Sequence, residues 1–364
     1  MASPLHNWVD RFLGRGEAAV TVPPLDGALK PNNLLEEAPI GLGIPAPDNL
    51  ISTGEALIFS SGNRLLRQPF DGSAGAAFGI SEGTVSAMAW RAGGVLAVAS
   101  SGKIAFRNSA GDIVPGLSGG TENWSGVTAM DFAPDGSLVI AVGSAKNGLN
   151  DWQRDLLEGE CAGSVWRLDP KTGSARQITG KLAYPNGIVV EADGNIIVCE
   201  AWQKRLIRLS ADGRMLGQVM EDLPGYPARL SHSPRGGYWL AIFAPRSPLI
   251  EFVLREPAYR KVMMDEVAPE FWIAPALRSG RSFREPMQGG ALKQMGILKP
   301  WAPTRSYGLV VEVAVDFTPL RSFHSRAGGQ RHGVTSAVEA GGRLWATAKG
   351  GDELVAIDLG PEEM

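Results

Sequence analysis

Along the chain, a glycine followed by a short apolar run recurs six times. The copies are TGEALIFS (53–60), GGVLAVAS (93–100), DGSLVIAV (135–142), DGNIIVCE (193–200), GGYWLAI (236–242) and GGRLWATA (341–348). The glycines nearest these runs are Gly54, Gly94, Gly136, Gly194, Gly237 and Gly342, so successive copies lie 40, 42, 58, 43 and 105 residues apart. A glycine at each start suits a hairpin that must reverse through positive φ. A second apolar stretch precedes most copies, as in VSAMAW (85–90), GVTAMDF (126–132) and NGIVVEA (186–192), and a third follows, as in SVWRLDP (164–170) and RLIRLSA (205–211). Three short strands per unit, with little helical periodicity, exclude βαβ units and predict four-stranded propeller blades. The predicted architecture is all-β: a six-bladed β-propeller forming one domain over residues 1–364.

The two long gaps must hold insertions. SAKNGLNDWQRDLLEGECAG (144–163) predicts a short helix around 151–158. The stretch 256–305 predicts a lid over the channel, because an insertion of this length in a compact domain is seldom an idle connection. Phe271, Trp272, Met287, Met295 and Trp301 are its expected packing residues. At the N-terminus, Leu5, Trp8, Val9, Phe12 and Leu13 follow helical spacing, which predicts a helical segment over 1–16 lying on the side of the barrel, with a membrane-surface anchor carrying Arg11 and Arg15 as the alternative. EAAVTVPPL (17–25) reads as a lone strand that completes the last blade and closes the ring.

Composition narrows the functional classes. A net charge of −3 supplies no broad attraction to nucleic acid or anionic membrane. The two cysteines, Cys161 and Cys199, make no disulfide framework and no zinc spacing. No apolar run is long enough to span a bilayer, and the first residues lack a signal-peptide core, so a cytoplasmic location is expected.

In a propeller the innermost strands surround a central channel, and the partner is expected to be a small molecule bound at one mouth. Counting back eight residues from the turn glycines gives Ser86, Thr128, Asn186 and Arg229. Loop slack adds Asp48, Asn49, Val334 and Thr335. All but Val334 are polar. Asp48 and Asn186 offer oxygens of the kind a hard cation takes, and a weakly held divalent ion such as Ca²⁺ is the candidate cofactor; Asx capping of strand ends is the plainer reading of both. His332, in QRHGVTS before a channel strand, is a candidate acid or base, a structural or solvated histidine being the plainer reading. Asp48, His332 and Arg229 are the catalytic candidates; Thr128, Asn186, Thr335 and Ser336 are the substrate-binding ones.

YPNGIVVEADGNIIVCEAWQKRLIRL (184–209), DWQRDLLEGECAGSVWRLDP (151–170), LPGYPARLSHSPRGGYWLA (223–241) and RHGVTSAVEAGGRLWATAKGGDELVAIDL (331–359) resemble strictosidine synthase-like proteins of the gluconolactonase/paraoxonase superfamily. The resemblance implies a six-bladed propeller, often with a Ca²⁺ ion in its channel, that hydrolyses lactones or aryl esters or joins an amine to an aldehyde. It also implies departures. The family's Gly-Tyr/Phe-Pro-Asp-Asn motif reads Gly-Tyr-Pro-Ala228-Arg229 here, Thr128 stands at a ligand asparagine, and Thr335 stands at the synthase's catalytic glutamate. The expected activity is therefore hydrolysis of a small lactone or ester, with Asp48 or His332 activating water and Arg229 or a weakly held cation stabilising the oxyanion. A carbon–nitrogen bond-forming lyase and a non-catalytic binding propeller are the alternatives.

Overall fold

A computed structural model describes residues 22–279 and 305–360, with Glu285, Pro286 and the short strands Lys293–Gln294 and Ile297–Leu298 between them. The predicted N-terminal helix and the lid residues Met287, Met295 and Trp301 lie outside the described residues. Six of the sheets are the blades of a propeller. Their inner strands are Pro47–Ser52, Val85–Arg91, Val127–Phe132, Pro185–Val190, Gly225–His232 and Val334–Ala340, in blades 1 to 6. Each inner strand contacts the next, and the sixth contacts the first, so the ring is closed.

The repeated apolar runs are the second strands of the blades. Leu57–Ser61, Ile196–Glu200 and nearly all of Tyr238–Pro245 are buried on both faces. A strand flanked by strands within its blade and covered by blades on either side has no solvated face. That is why these runs are continuously apolar rather than alternating. The six turn glycines have φ between +74° and +91°, as the hairpins require.

Blade 6 is completed from the N-terminal side, but not by the segment predicted. Ile40–Gly43 pairs antiparallel with Glu353–Asp358, from Ile40 opposite Ala356 to Gly43 opposite Glu353. Residues 22–25 form no strand, and 17–21 lie outside the described residues. The strand that closes the ring is chosen by its approach to the open edge of blade 6, and local β propensity does not report that approach.

Two features depart from the repeat. Blade 2 has three strands, the third ending at Arg107 with a single bridge to Ile113 in place of a fourth. The long gap in blade 5 leaves after Tyr238–Pro245 and returns as Leu309–Val313. It contains helices α2 (Pro248–Val253) and α3 (Pro257–Glu266), and α1 (Trp152–Glu158) is the helix predicted in blade 3. Trp272 is buried with Leu157 and Met263 in a small core between α1 and α3.

Candidate active site

All six inner strands bulge at the same level. In blade 1, two residues between Asp48 and Ile51 oppose one on the partner strand. Ser86, Thr128, Asn186 and Thr335 are each skipped by the pairing of blades 2, 3, 4 and 6. In blade 5 the break in register falls between Pro227 and Leu230, at Ala228 and Arg229. A bulge re-aims side chains and frees carbonyls from the ladder. Here the bulges aim side chains toward the channel axis, and two of them turn carbonyls inward as well. Asp48, Ser86, Thr128, Asn186, Arg229 and Thr335 consequently line one cavity of about 390 Å³ at a single mouth.

The floor of that cavity is a charge cluster centred on Asp48. Its Oδ1 accepts hydrogen bonds from Arg229 at 2.5 Å, from the Thr335 hydroxyl at 2.8 Å and from the backbone of Asn49 at 2.8 Å. Its Oδ2 accepts from Lys349 Nζ at 2.8 Å. Arg229 also donates to the carbonyls of Ser86 and Thr128, both at 2.9 Å, which two of the bulges have turned inward. Burial acts to raise the Asp48 carboxyl, but Arg229, Lys349 and the Thr335 hydroxyl outweigh it and hold the group well below the usual carboxylate range.

The remaining polar residues staple neighbouring blades. The Thr128 hydroxyl donates to the carbonyl of Pro185 at 2.5 Å, and Asn186 Nδ2 donates to that of Pro227 at 3.2 Å. Asn49 Nδ2 donates to the carbonyl of Val85 at 3.3 Å. Polarity at these strand starts therefore serves ring closure as well as the cavity.

One wall is aromatic. Tyr184 and Trp202 stack with centroids 4.4 Å apart, Trp152 stacks on Trp202 at 6.2 Å, and Phe243 meets Trp152 edge-on at 5.5 Å. The Trp202 indole donates to the buried Asp155 of α1 at 2.7 Å, which fixes its plane. Leu277, from the insertion after blade 5's second strand, faces the same cavity. Its carbonyl would lie 1.7 Å from a side chain at Gly350 and 2.6 Å from one at Gly333, so two glycines let this strap settle over blade 6.

Two predicted site residues lie elsewhere. His332 is buried away from the cavity, its Nδ1 bonded to the Ser306 hydroxyl at 2.7 Å and its Nε2 to the carbonyl of Arg326 at 2.8 Å. Its place before a channel strand sets its level along the axis but not its direction, and both ring nitrogens are engaged. Ser336 follows the bulge and faces the lower channel, where it bonds to Thr347 at 2.8 Å and accepts from the backbone of Leu50 at 3.0 Å. Lys349 and the aromatic wall escaped the strand-start count. A signal for them existed: second strands run antiparallel to inner ones, so residues just after them, Trp202 and Lys349 among them, reach the same mouth.

The floor supplies fixed positive charge and little basicity. A carboxylate shared between two cations and a hydroxyl has scant affinity for another proton, so Asp48 positions Arg229 and Lys349 rather than activating water. Thr335 spends its proton on Asp48 and offers no acid/base carboxyl. The set does not fit a divalent ion either. At an effective dielectric near 20, like charges about 4 Å apart repel by about 4 kcal/mol per unit pair. Such an ion would meet two cations, and among the described residues no three His, Cys, Asp or Glu side chains converge.

The family model described as strictosidine synthase matches residues 128–213. Strictosidine synthase-like protein 6 of Arabidopsis thaliana is 25% identical over 64% of this chain and 54% of its own length. The adipocyte plasma membrane-associated protein of Danio rerio is 28% identical over 64% of this chain and 52% of its own. The chain thus spans about half the length of these relatives. Among solved structures, a luciferin-regenerating enzyme aligns over 88% of this chain and 94% of its own, with a TM-score of 0.55 and 13% identity. A protein described as a gluconolactonase aligns over 90% and 94%, with a TM-score of 0.54 and 15% identity. The chain is a six-bladed β-propeller with strictosidine synthase-like relatives and gluconolactonase-like structural neighbours.

Proposed function

We propose that the mouth cavity binds a small lactone or ester and hydrolyses it by electrophilic activation. The observation that carries this reading is the pair of cations, Arg229 and Lys349, held by one ionised carboxylate beneath an aromatic wall. A Lys ammonium has three donors. One of those of Lys349 is on Asp48, and its side chain is 33% exposed, so further donors are available to a ligand. A carbonyl oxygen placed there would have its developing negative charge stabilised by groups already oriented, the usual source of large rate effects in acyl transfer. Water oxygen adds to the carbonyl carbon, the acyl C–O bond breaks, and the proton passes to the departing oxygen. The absence of a strong base among the floor residues favours reactive carbonyls with good leaving groups, as in strained lactones and aryl esters.

A panel of lactones and aryl esters tests the reading with the unmodified chain and Lys349→Met. Turnover is expected, with kcat/KM lowered about 100-fold or more in the variant. Turnover indifferent to Lys349 removes the electrophilic role. One observation favours a second reading, a binding propeller without chemistry: every strong interaction of Asp48 is already satisfied within the protein. Quenching of fluorescence from Trp152 and Trp202 by a ligand that is never turned over would select it. Carbon–nitrogen bond formation gains no support from Thr335, whose hydroxyl is committed to Asp48.

A further inference from the structure

We propose that this chain carries the central cation of its channel covalently, as the Arg229 guanidinium, and takes no divalent metal ion at that place. Oxygens from three blades converge on the guanidinium: Asp48 Oδ1 of blade 1 at 2.5 Å, and the Ser86 and Thr128 carbonyls of blades 2 and 3 at 2.9 Å. One carboxylate with two backbone carbonyls is the type of oxygen set that a hard cation takes. Here it receives N–H donors from a residue of blade 5.

Position supports the same conclusion. Arg229 borders the mouth cavity on one side and, on the other, a lower cavity of about 240 Å³ lined by all six inner strands. The guanidinium therefore lies across the channel axis. Immediately before it stands Ala228, buried and facing the mouth, which contributes no side-chain oxygen. The second oxygen of Asp48 is taken by Lys349. An arginine cannot yield by losing its proton, so an ion could enter only by displacing the whole side chain and stripping its three oxygen partners.

The assignment is independent of the hydrolase reading, because it is tested by binding rather than by turnover. Protein freed of metal by a chelator is titrated with Ca²⁺ and with Mn²⁺ in a calorimeter, and its melting temperature is compared in chelator and in millimolar Ca²⁺. No saturable heat below the millimolar range and an unchanged melting temperature are expected. One ion per chain bound with micromolar affinity, and lost on Asp48→Asn, overturns the proposal; binding that survives Asp48→Asn belongs elsewhere and leaves it standing. The double variant Ala228→Asp/Arg229→Asn supplies the converse. If folded by circular dichroism, it is expected to bind Ca²⁺ at least about 100-fold more tightly than the parent. A folded double variant with no such gain also overturns the assignment. If it does not fold, the titration of the unmodified chain decides alone.

Discussion

Asp48 draws four hydrogen bonds onto one carboxylate, and two of the donors are cations. Its carboxyl is held below the ordinary range, so the stability it contributes is complete above the unfolded value of about 3.9 and is lost as pH falls below it. Asp48→Asn should therefore flatten the dependence of stability on pH below about pH 4, read from urea unfolding at several pH values. At neutral pH it should cost about 3 kcal/mol, the low end for breaking a buried pair, because Lys349 remains partly in water. His332 follows the opposite chemistry with the same outcome. Burial depresses its imidazole, so the unfolded chain takes up a proton near pH 6.5 that the folded chain refuses, and stability falls as pH drops below that value. The melting temperature of the unmodified chain should fall more between pH 7.5 and 5.5 than that of His332→Gln. An equal fall in both would show that His332 is not the group responsible. At this scale Arg229 was legible in the sequence from its eight-residue offset from the turn glycine, and Asp48, six residues before Gly54, once loop slack was allowed. The direction of His332 was not, because direction depends on partners, Ser306 and Arg326, brought in by other segments.

Among the elements, the bulges decide most. Offset counting found their level without revealing that strands bulge there, because an unpaired residue carries no compositional mark. The helix Trp152–Glu158 was readable from its own residues; its task of holding Trp202 through Asp155 was not. The strap bearing Leu277 belongs to the same class. It lies over Gly350, beside which Arg278 donates to the Gly350 carbonyl and pairs with Asp352. A methyl group at Gly350 would meet the Leu277 carbonyl at 1.7 Å, a contact that only backbone movement relieves. Gly350→Ala should lift the strap, lower the melting temperature by several degrees and weaken any ligand of the mouth more than Gly43→Ala. Gly43, also in blade 6, is the control because a side chain there meets nothing within 4 Å and its backbone is outside the left-handed region. Equal losses in the two variants would show that the strap does not shape the mouth.

For the molecule as a whole, closure is the constraint. Blade 6 takes three strands from the C-terminal side and one, Ile40–Gly43, from the N-terminal side, leaving no open edge on Glu353–Asp358. A chain beginning after Gly43 should therefore melt at a lower temperature and aggregate on concentration, measured by light scattering. A truncated chain as monodisperse and stable as the parent would show that closure contributes little. The same scale explains why the core is spread among several clusters rather than one: most lie between neighbouring blades, as where Trp345 and Phe59 pack between blades 6 and 1, and one lies between α1 and α3.

The sequence by itself determined the repeat, hence the six blades, and the level of the polar ring at one mouth. Those properties are periodic and local, set by glycines that must take positive φ and by strands that must be apolar on both faces. Only the tertiary structure decided which segment closes the ring, which way His332 and Ser336 point, and that Lys349 and Arg229 share Asp48. These outcomes depend on contacts between residues far apart in the chain, Asp48 and Lys349 being 301 positions apart. Neither propensity nor spacing encodes such a meeting, since it exists only once the circle of blades has brought the two ends of the chain together.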